Sequence, residues 1–251
     1  MKTLYLDCGM GAAGDMLAGA LYELCPDGER ILQQLNRILS GRAEMNAVPD
    51  VKCGVEGTHI RVVIQGDEEG KELHHHHHHH HHHTSIREIR DFLAAAPVSE
   101  KVHADALRVY DLIAAAEADV HGASLENIHF HEVGSIDAVA DVLAVCLLME
   151  ALSPAQILAS AVNVGGGTVT CAHGVLPVPA PATERLLRGL PWYESEIKSE
   201  LCTPTGAALL RHFVTRFCTL PVMEAQAVGF GTGAKDFPRM NAVRAMLGNA
   251  E

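Results

Sequence analysis

No two of the seven cysteines in this 251-residue chain stand in a Cys-x-x-Cys pair. Cys8, Cys25, Cys53, Cys146, Cys171, Cys202 and Cys218 are scattered, which argues against a zinc ribbon or a disulfide framework and for reduced thiols in the cytoplasm. Basic residues are few: 19 Lys and Arg against 31 Asp and Glu give a formal net charge of −12. That is the wrong sign for a protein that grips nucleic-acid phosphates, and no Lys/Arg cluster offsets it. Long hydrophobic runs are missing too. The longest, Ala138 to Leu152, falls short of the roughly 20 residues of a membrane span and contains Asp141. At the N-terminus Leu4-Tyr5-Leu6 is interrupted by Asp7, so the continuous apolar stretch of a signal peptide is absent. The expectation is a soluble cytoplasmic protein with neither nucleic-acid nor membrane partners.

A chain of this length with 48% apolar residues can bury a sizeable core. The segment Ile128-His129-Phe130-His131-Glu132-Val133-Gly134-Ser135-Ile136-Asp137 dominates its chemistry. His129 and His131 leave one face if extended, and Gly134 permits a sharp turn. A buried, helix-compatible run follows, on which Asp137 and Asp141 are four apart and therefore share a face in the first turns. Imidazoles and carboxylates meeting at a strand-to-helix corner suit a borderline divalent cation such as nickel, zinc or copper. The competing reading is that the histidines end a strand while Asp137 offsets the positive helix end.

Ten consecutive histidines, His74, His75, His76, His77, His78, His79, His80, His81, His82 and His83, lie inside the chain, not at a terminus where a purification tag would sit. No packing role calls for such a run, and its composition points to metal capture by a flexible loop that buffers metal without fixing a geometry. Mutual repulsion keeps some of these imidazoles neutral near neutral pH.

Earlier, a strand over Thr3 to Asp7 leads through Gly9-x-Gly11-x-x-Gly14 into a helix for which Asp15 is the expected N-cap. The phosphate-loop lysine is absent, so a dinucleotide site is a weak reading. Asp7 and Asp15 are either metal ligands or a turn residue and a cap. A helix over Glu29 to Leu39 follows, then Val48 to Ile64, which reads as a hairpin or two short strands. Ser85 with Glu88 forms a capping box, and Ser99 opens an amphipathic helix that stops at Gly122, with His103 and His121 expected at its surface. Ile157 to Val164 reads as one buried strand, before Gly165-Gly166-Gly167, a candidate anion nest. His173 before Gly174 is a turn residue or a further imidazole ligand. Prolines at 177, 179 and 181 force an extended stretch. Thr203 caps a helix with Pro204 at its first position, a start that can hold a phosphate or merely begin a helix. Val222 to Val228 is a strand, Gly229 to Asp236 a glycine-rich loop with Lys235 and Arg239 nearby, and Asn241 to Leu247 the last strand.

Strands and helices alternate often enough for an α/β fold, a mostly parallel or mixed sheet flanked by helices with a mobile His-rich insertion. The division expected is an N-terminal α/β segment over 1–64, a flexible loop over 65–84, and a remainder over 85–251 that makes one compact domain with 1–64.

Several blocks taken together carry a resemblance. They are Leu6-Asp7-Cys8 with Gly14-Asp15-Met16-Leu17, the His run, and His129-x-His131-Glu132-Val133-Gly134-x-x-Asp137 with Asp141. Ala172-His173-Gly174-x-Leu176-Pro177-x-Pro179-Ala180-Pro181-Ala182-Thr183, Thr203-Pro204-Thr205-Gly206-Ala207, and Gly229-x-Gly231-x-Gly233 with Asp236 and Asn241 follow in order. The chain resembles, nearly end to end, the nickel-insertion family (LarC type) of nickel-pincer nucleotide cofactor biosynthesis. The resemblance implies a lyase-class cyclometallation that inserts Ni(2+) into pyridinium-3,5-bisthiocarboxylic acid mononucleotide through Ni–S and Ni–C bonds. It implies consumption of CTP with Mn(2+) as helper metal, at a C-terminal domain that full-length members carry beyond the Asn241 block. This chain is then the N-terminal part, and a separately encoded C-terminal domain is an expected partner. On this reading the His run gathers nickel. His129, His131, Glu132 and Asp137 receive it, with Asp7, Asp15, Asp141 and His173 as further ligands. Gly165, Gly166, Gly167, Thr203, Thr205 and Gly206 hold the substrate phosphate. A homo-oligomer is left open. The alternative is a His-rich nickel store or chaperone without catalysis.

Overall fold

The computed structural model describes residues 1–64, 84–125, 128–130 and 132–250, with the backbone alone at His129 and Glu132. The fold is α/β, built on a mixed seven-stranded sheet. Its strands are β1 (Lys2–Asp7), β2 (Ala43–Lys52), β3 (Val55–Ile64), β6 (Gln156–Ala159), β11 (Arg216–Phe217), β12 (Met223–Thr232) and β13 (Ala242–Ala250), in the order β11-β6-β1-β13-β12-β3-β2. β1 runs parallel to β6 and antiparallel to β13. β2 and β3 form the expected hairpin, turning at Cys53-Gly54, both with positive φ. β3 meets β12 only at Gly231–Thr58. There the Glu23 carboxylate accepts from Thr58 Oγ1 (2.8 Å) and from the Phe230 N–H (2.8 Å), satisfying groups that the diverging strands leave open.

Period-two alternation along β1 sorts the two faces of the sheet. Leu4 and Leu6 join the main core, whereas Tyr5 joins Leu158 and Met246 in a small cluster on the opposite face. Helices α1 (Gly14–Leu24) and α2 (Gly28–Leu39) belong to the main core. So does α5 (Ile136–Leu152), which is buried on nearly every side between α1, α2 and the hairpin strands on one flank and α4 (Glu100–His121) and α7 (Pro204–Phe213) on the other. A helix that is apolar all round is a central helix. This is why the longest hydrophobic run sits in the interior, and among the described residues no helix is long and apolar enough to cross a membrane.

The capping signals are realised. Ser85 and Glu88 exchange both capping-box bonds at the start of α3 (Ile86–Ala95), Ser99 accepts from the Val102 N–H, and Gly122 ends α4 in the left-handed region. Ser85→Ala is expected to cost about 1 kcal/mol, read as a lower midpoint in urea with an unchanged slope.

Three expectations are revised. Ile157 to Val164 is not one strand: β6 stays in the large sheet, and β7 (Val162–Gly165) pairs instead with β10 (Trp192–Glu194). The break falls at Ser160, whose hydroxyl accepts from the Cys8 N–H and whose own N–H donates to Leu6. The glycine-rich stretch after Val228 is not wholly a loop, because β12 continues to Thr232. Its glycines face α1, where a Cβ at Gly231 would lie 1.8 Å from the Met16 carbonyl oxygen and one at Gly229 2.4 Å from that of Ala20. Finally, α1 is capped by Ala13, which has no side-chain acceptor, and Asp15 sits inside the first turn.

Candidate functional site

The first turns of α1, α5 and α7 meet around residues 12–15. The loop after β1 is tied to the segment before α7 through Ala12 N–H to Leu201 O (3.0 Å) and Thr203 N–H to Ala12 O (3.1 Å). Gly206 lies so close to Ala12 that a Cβ there would stand 2.1 Å from its carbonyl oxygen. From α5, Asp141 presses on Gly14, where an added Cβ would come within 2.6 Å of Asp141 Oδ2. Positive helix ends thus face an acidic centre.

That centre consists of Asp15, Asp137 and Asp141. Burial holds the Asp141 carboxyl well above the ordinary range, the charges of Asp15 and Asp137 raise it further, and only the Asp15 backbone N–H opposes them. Asp141 Oδ1 is enclosed and has no hydrogen-bond partner among the described residues. Asp15 is also raised, first by burial, against the Met16 N–H (2.8 Å to Oδ1) and the His59 ring, with Asp137 adding to the rise. Tyr110, fully buried, is raised by burial and then by Asp141 and Asp137; its hydroxyl reaches Val133 O at 3.3 Å. Its ring lies 6.4 Å from that of Phe130. Three carboxyl groups that repel one another, one with an orphaned oxygen, make a set of hard donors whose charge a divalent cation would compensate.

The neighbouring histidine motif takes the expected form in its backbone. His129–Phe130 is a two-residue strand, β5, paired with β4 (Thr84–Ser85), and a 3-10 turn over Glu132–Gly134 leads to Ser135, the N-cap of α5. His74 to His83, His131 and the side chains of His129 and Glu132 lie outside the described residues. Among those described, no three His, Cys, Asp or Glu donors already converge on one point.

Other expected residues are placed elsewhere. Asp7 accepts from the Gly9 N–H (3.1 Å) and pairs with Arg244 (2.7 Å), so both of its oxygens are engaged in a turn and an ion pair. The N–H groups of Gly165, Gly166 and Gly206 donate to Asn163 Oδ1, Ser199 O and Thr203 Oγ1. The glycine stretch lies against residues 194–201: a Cβ at Gly165 would be 1.9 Å from Ser199 O. Thr205 is buried within α7. Lys235 donates to Ser199 Oγ and Arg239 pairs with Glu196. His173 stands in the turn between β8 (Thr168–Cys171) and β9 (Gly174–Pro177), its ring centroid 4.9 Å from that of His121. His121 is exposed at the end of α4, as expected, and in addition faces His173. Sequence reasoning also missed Tyr110 and His59, which join the acidic centre only through contacts remote in the chain. For Tyr110 the local mark is a hydroxyl on the apolar face of α4; His59, between Gly57 and Arg61 on its strand face, carries none.

Comparison with known proteins places this arrangement in context. A family model described as nickel insertion protein matches residues 4–251. A pyridinium-3,5-bisthiocarboxylic acid mononucleotide nickel insertion protein from Geobacillus kaustophilus (strain HTA426) is 38% identical over 249 residues, covering 99% of this chain and 60% of that protein. One of the same name from Clostridium kluyveri is 39% identical over 252 residues, 100% of this chain and 63% of its own length. The chain therefore spans about three fifths of the curated relatives it matches. No solved structure matches it significantly.

Proposed function

Because the chain belongs to the nickel insertion protein family, we propose that it receives nickel and presents it to a thiolated pyridinium mononucleotide. The relatives' name states nickel insertion; the reaction proposed for it is a cyclometallation, with nickel as its substrate. The observation that carries the reading is the enclosed Asp141 Oδ1, without a hydrogen-bond partner among the described residues, amid the Asp15–Asp137–Asp141 group. A stable fold gains nothing from three repelling carboxyls beneath a helix start, whereas a cation turns that cost into binding.

His74 to His83 gather the metal, and the corner of His129, His131, Glu132, Asp137, Asp15 and Asp141 fixes it with nitrogen and oxygen donors. Asp7, engaged with the Gly9 N–H and Arg244, and His173, beside His121, are left out of that set. Forming a Ni–C bond requires a ring proton to leave, and a carboxyl held above its ordinary range, as Asp15 and Asp141 are, is suited to accept it. The phosphate is assigned to the paired starts of α1 and α7 near Thr203, since Thr205 is buried and the Gly165 and Gly166 N–H groups are engaged within the chain. CTP and Mn(2+) use is assigned to a region corresponding to the further length of the relatives, supplied in the same or a separate chain.

The test combines purified chain, thiolated precursor and Ni(2+), with and without CTP, Mn(2+) and a separately made C-terminal partner, and reads nickel-bearing product by mass spectrometry. Product is expected with the partner and lost in H129A/H131A. Product unaffected by that double variant would sink the assignment of the corner. The second reading, a nickel store, is favoured only by the His run. It requires nickel uptake to vanish when residues 74–83 are replaced by serine, whereas the corner predicts a residual tight site.

A further inference from the structure

We infer that Glu117, His121 and His173 form a second transition-metal site, distinct from the carboxylate corner, at the mouth of a small apolar cavity. Its ligand is a borderline divalent ion; that the ion is nickel rests on the function proposed above, while the ion class rests on the donors themselves.

The cavity, of about 160 Å³, lies between the last turn of α4, the β8–β9 hairpin and the first turns of α6 (Pro181–Leu187) and α7. Its wall is largely apolar, with Val120, Val169 and Leu176 contributing, and the donors lie on the α4 and hairpin sides. Glu117 and His121 are four apart on α4, the spacing that brings two ligands onto one helix face.

The distances suit a shared ion better than a direct bond. His121 Nε2 and Glu117 Oε2 are 3.4 Å apart. That is long for a hydrogen bond, and close to the about 3.3 Å between two donors each about 2.05 Å from a tetrahedral ion. An imidazole ligating at that length has its ring centroid about 3.2 Å from the ion. Two such rings at angles of about 90° to 110° then have centroids about 4.5–5.2 Å apart. The His121 and His173 centroids are 4.9 Å apart. Glu117 and His121 are thus already set, and His173, exposed in its turn, completes the trio by turning its ring about the Cβ–Cγ bond, which leaves the centroid nearly in place. Val133, in the 3-10 turn that precedes α5, lines the same cavity, so the second site adjoins the corner.

The experiment uses the full chain with residues 74–83 replaced by serine, so that the His run contributes no signal. Co(2+) is titrated and followed by its visible ligand-field bands, then Ni(2+) by calorimetry. One Co(2+) equivalent is expected to be lost, or weakened at least about tenfold, in H121A and in H173A. D141N leaves that equivalent in place. His173 is exposed in a hairpin turn, so H173A reports on the site even if H121A melts early. Unchanged cobalt bands and stoichiometry in H173A and in a folded H121A would overturn the second site. If those variants keep full binding while D141N loses an equivalent, the corner stands alone. If the reverse holds, the corner fails and the second site remains.

Discussion

Asp141→Asn is expected to raise the melting temperature of the metal-free chain at pH 7 while abolishing the stabilisation that nickel confers through the corner. In the folded state burial, Asp15 and Asp137 all disfavour the charged Asp141 carboxylate and raise its pKa. A raised acid means that the folded chain binds the proton more tightly than the unfolded one. Its contribution therefore favours folding below about pH 4 and is lost as pH rises through the raised value. Asparagine cannot ionise, keeps an oxygen for the Asp15 N–H, and can donate to a neighbouring carboxylate. Relieving such a buried group is worth on the order of 1–3 kcal/mol, a few degrees of melting temperature in a chain of this size. With the His run replaced by serine, Ni(2+) at a hundredfold excess over the corner's dissociation constant should stabilise the parent by about 2.7 kcal/mol through the corner, a contribution that D141N loses while keeping whatever the second site adds. Calorimetric scans from pH 4 to 8, with and without Ni(2+), decide it. A variant that melts lower than the parent at pH 7 without metal would make Asp141 a structural cap of α1, not a ligand in waiting.

The second large effect falls on the support of the site. Gly231→Val is expected to destabilise the chain by about 3 kcal/mol or more and to weaken corner metal binding with it. The atoms a Cβ would strike, Met16 O at 1.8 Å and Ala20 N at 2.4 Å, are backbone, so no rotamer change relieves the clash. The helix must lift from β12, and it carries Asp15 in its first turn. Gly54→Ala is the control: nothing lies within 4 Å, and only its φ of +79° resists, for about 1 kcal/mol. Urea denaturation compares the two, and a Gly231→Ala variant as stable as the parent would show that the helix rides less closely on the strand.

Local signals determined a good deal of this molecule. The capping box at Ser85, the Ser99 and Thr203 caps and the Cys53-Gly54 hairpin turn are set by interactions within a few residues, and all are read directly from the chain. The same holds for the i,i+4 placement of Asp137 and Asp141, because helical periodicity fixes it. The family followed from blocks in order along the sequence. Long-range packing decided the rest. That Ala13 caps α1 while Asp141 supplies an acceptor from another helix, that Gly229 and Gly231 serve helix-on-strand contact, and that Ser160 breaks one apolar run into two sheets all depend on partners more than a hundred residues away. The entry of Tyr110 into the acidic centre and the facing of His121 and His173 depend on partners about 27 to 52 residues away, likewise beyond any local window. Sequence spacing specifies which side chains share a face; which faces meet is chosen by the burial of the whole core, a sum no local window contains.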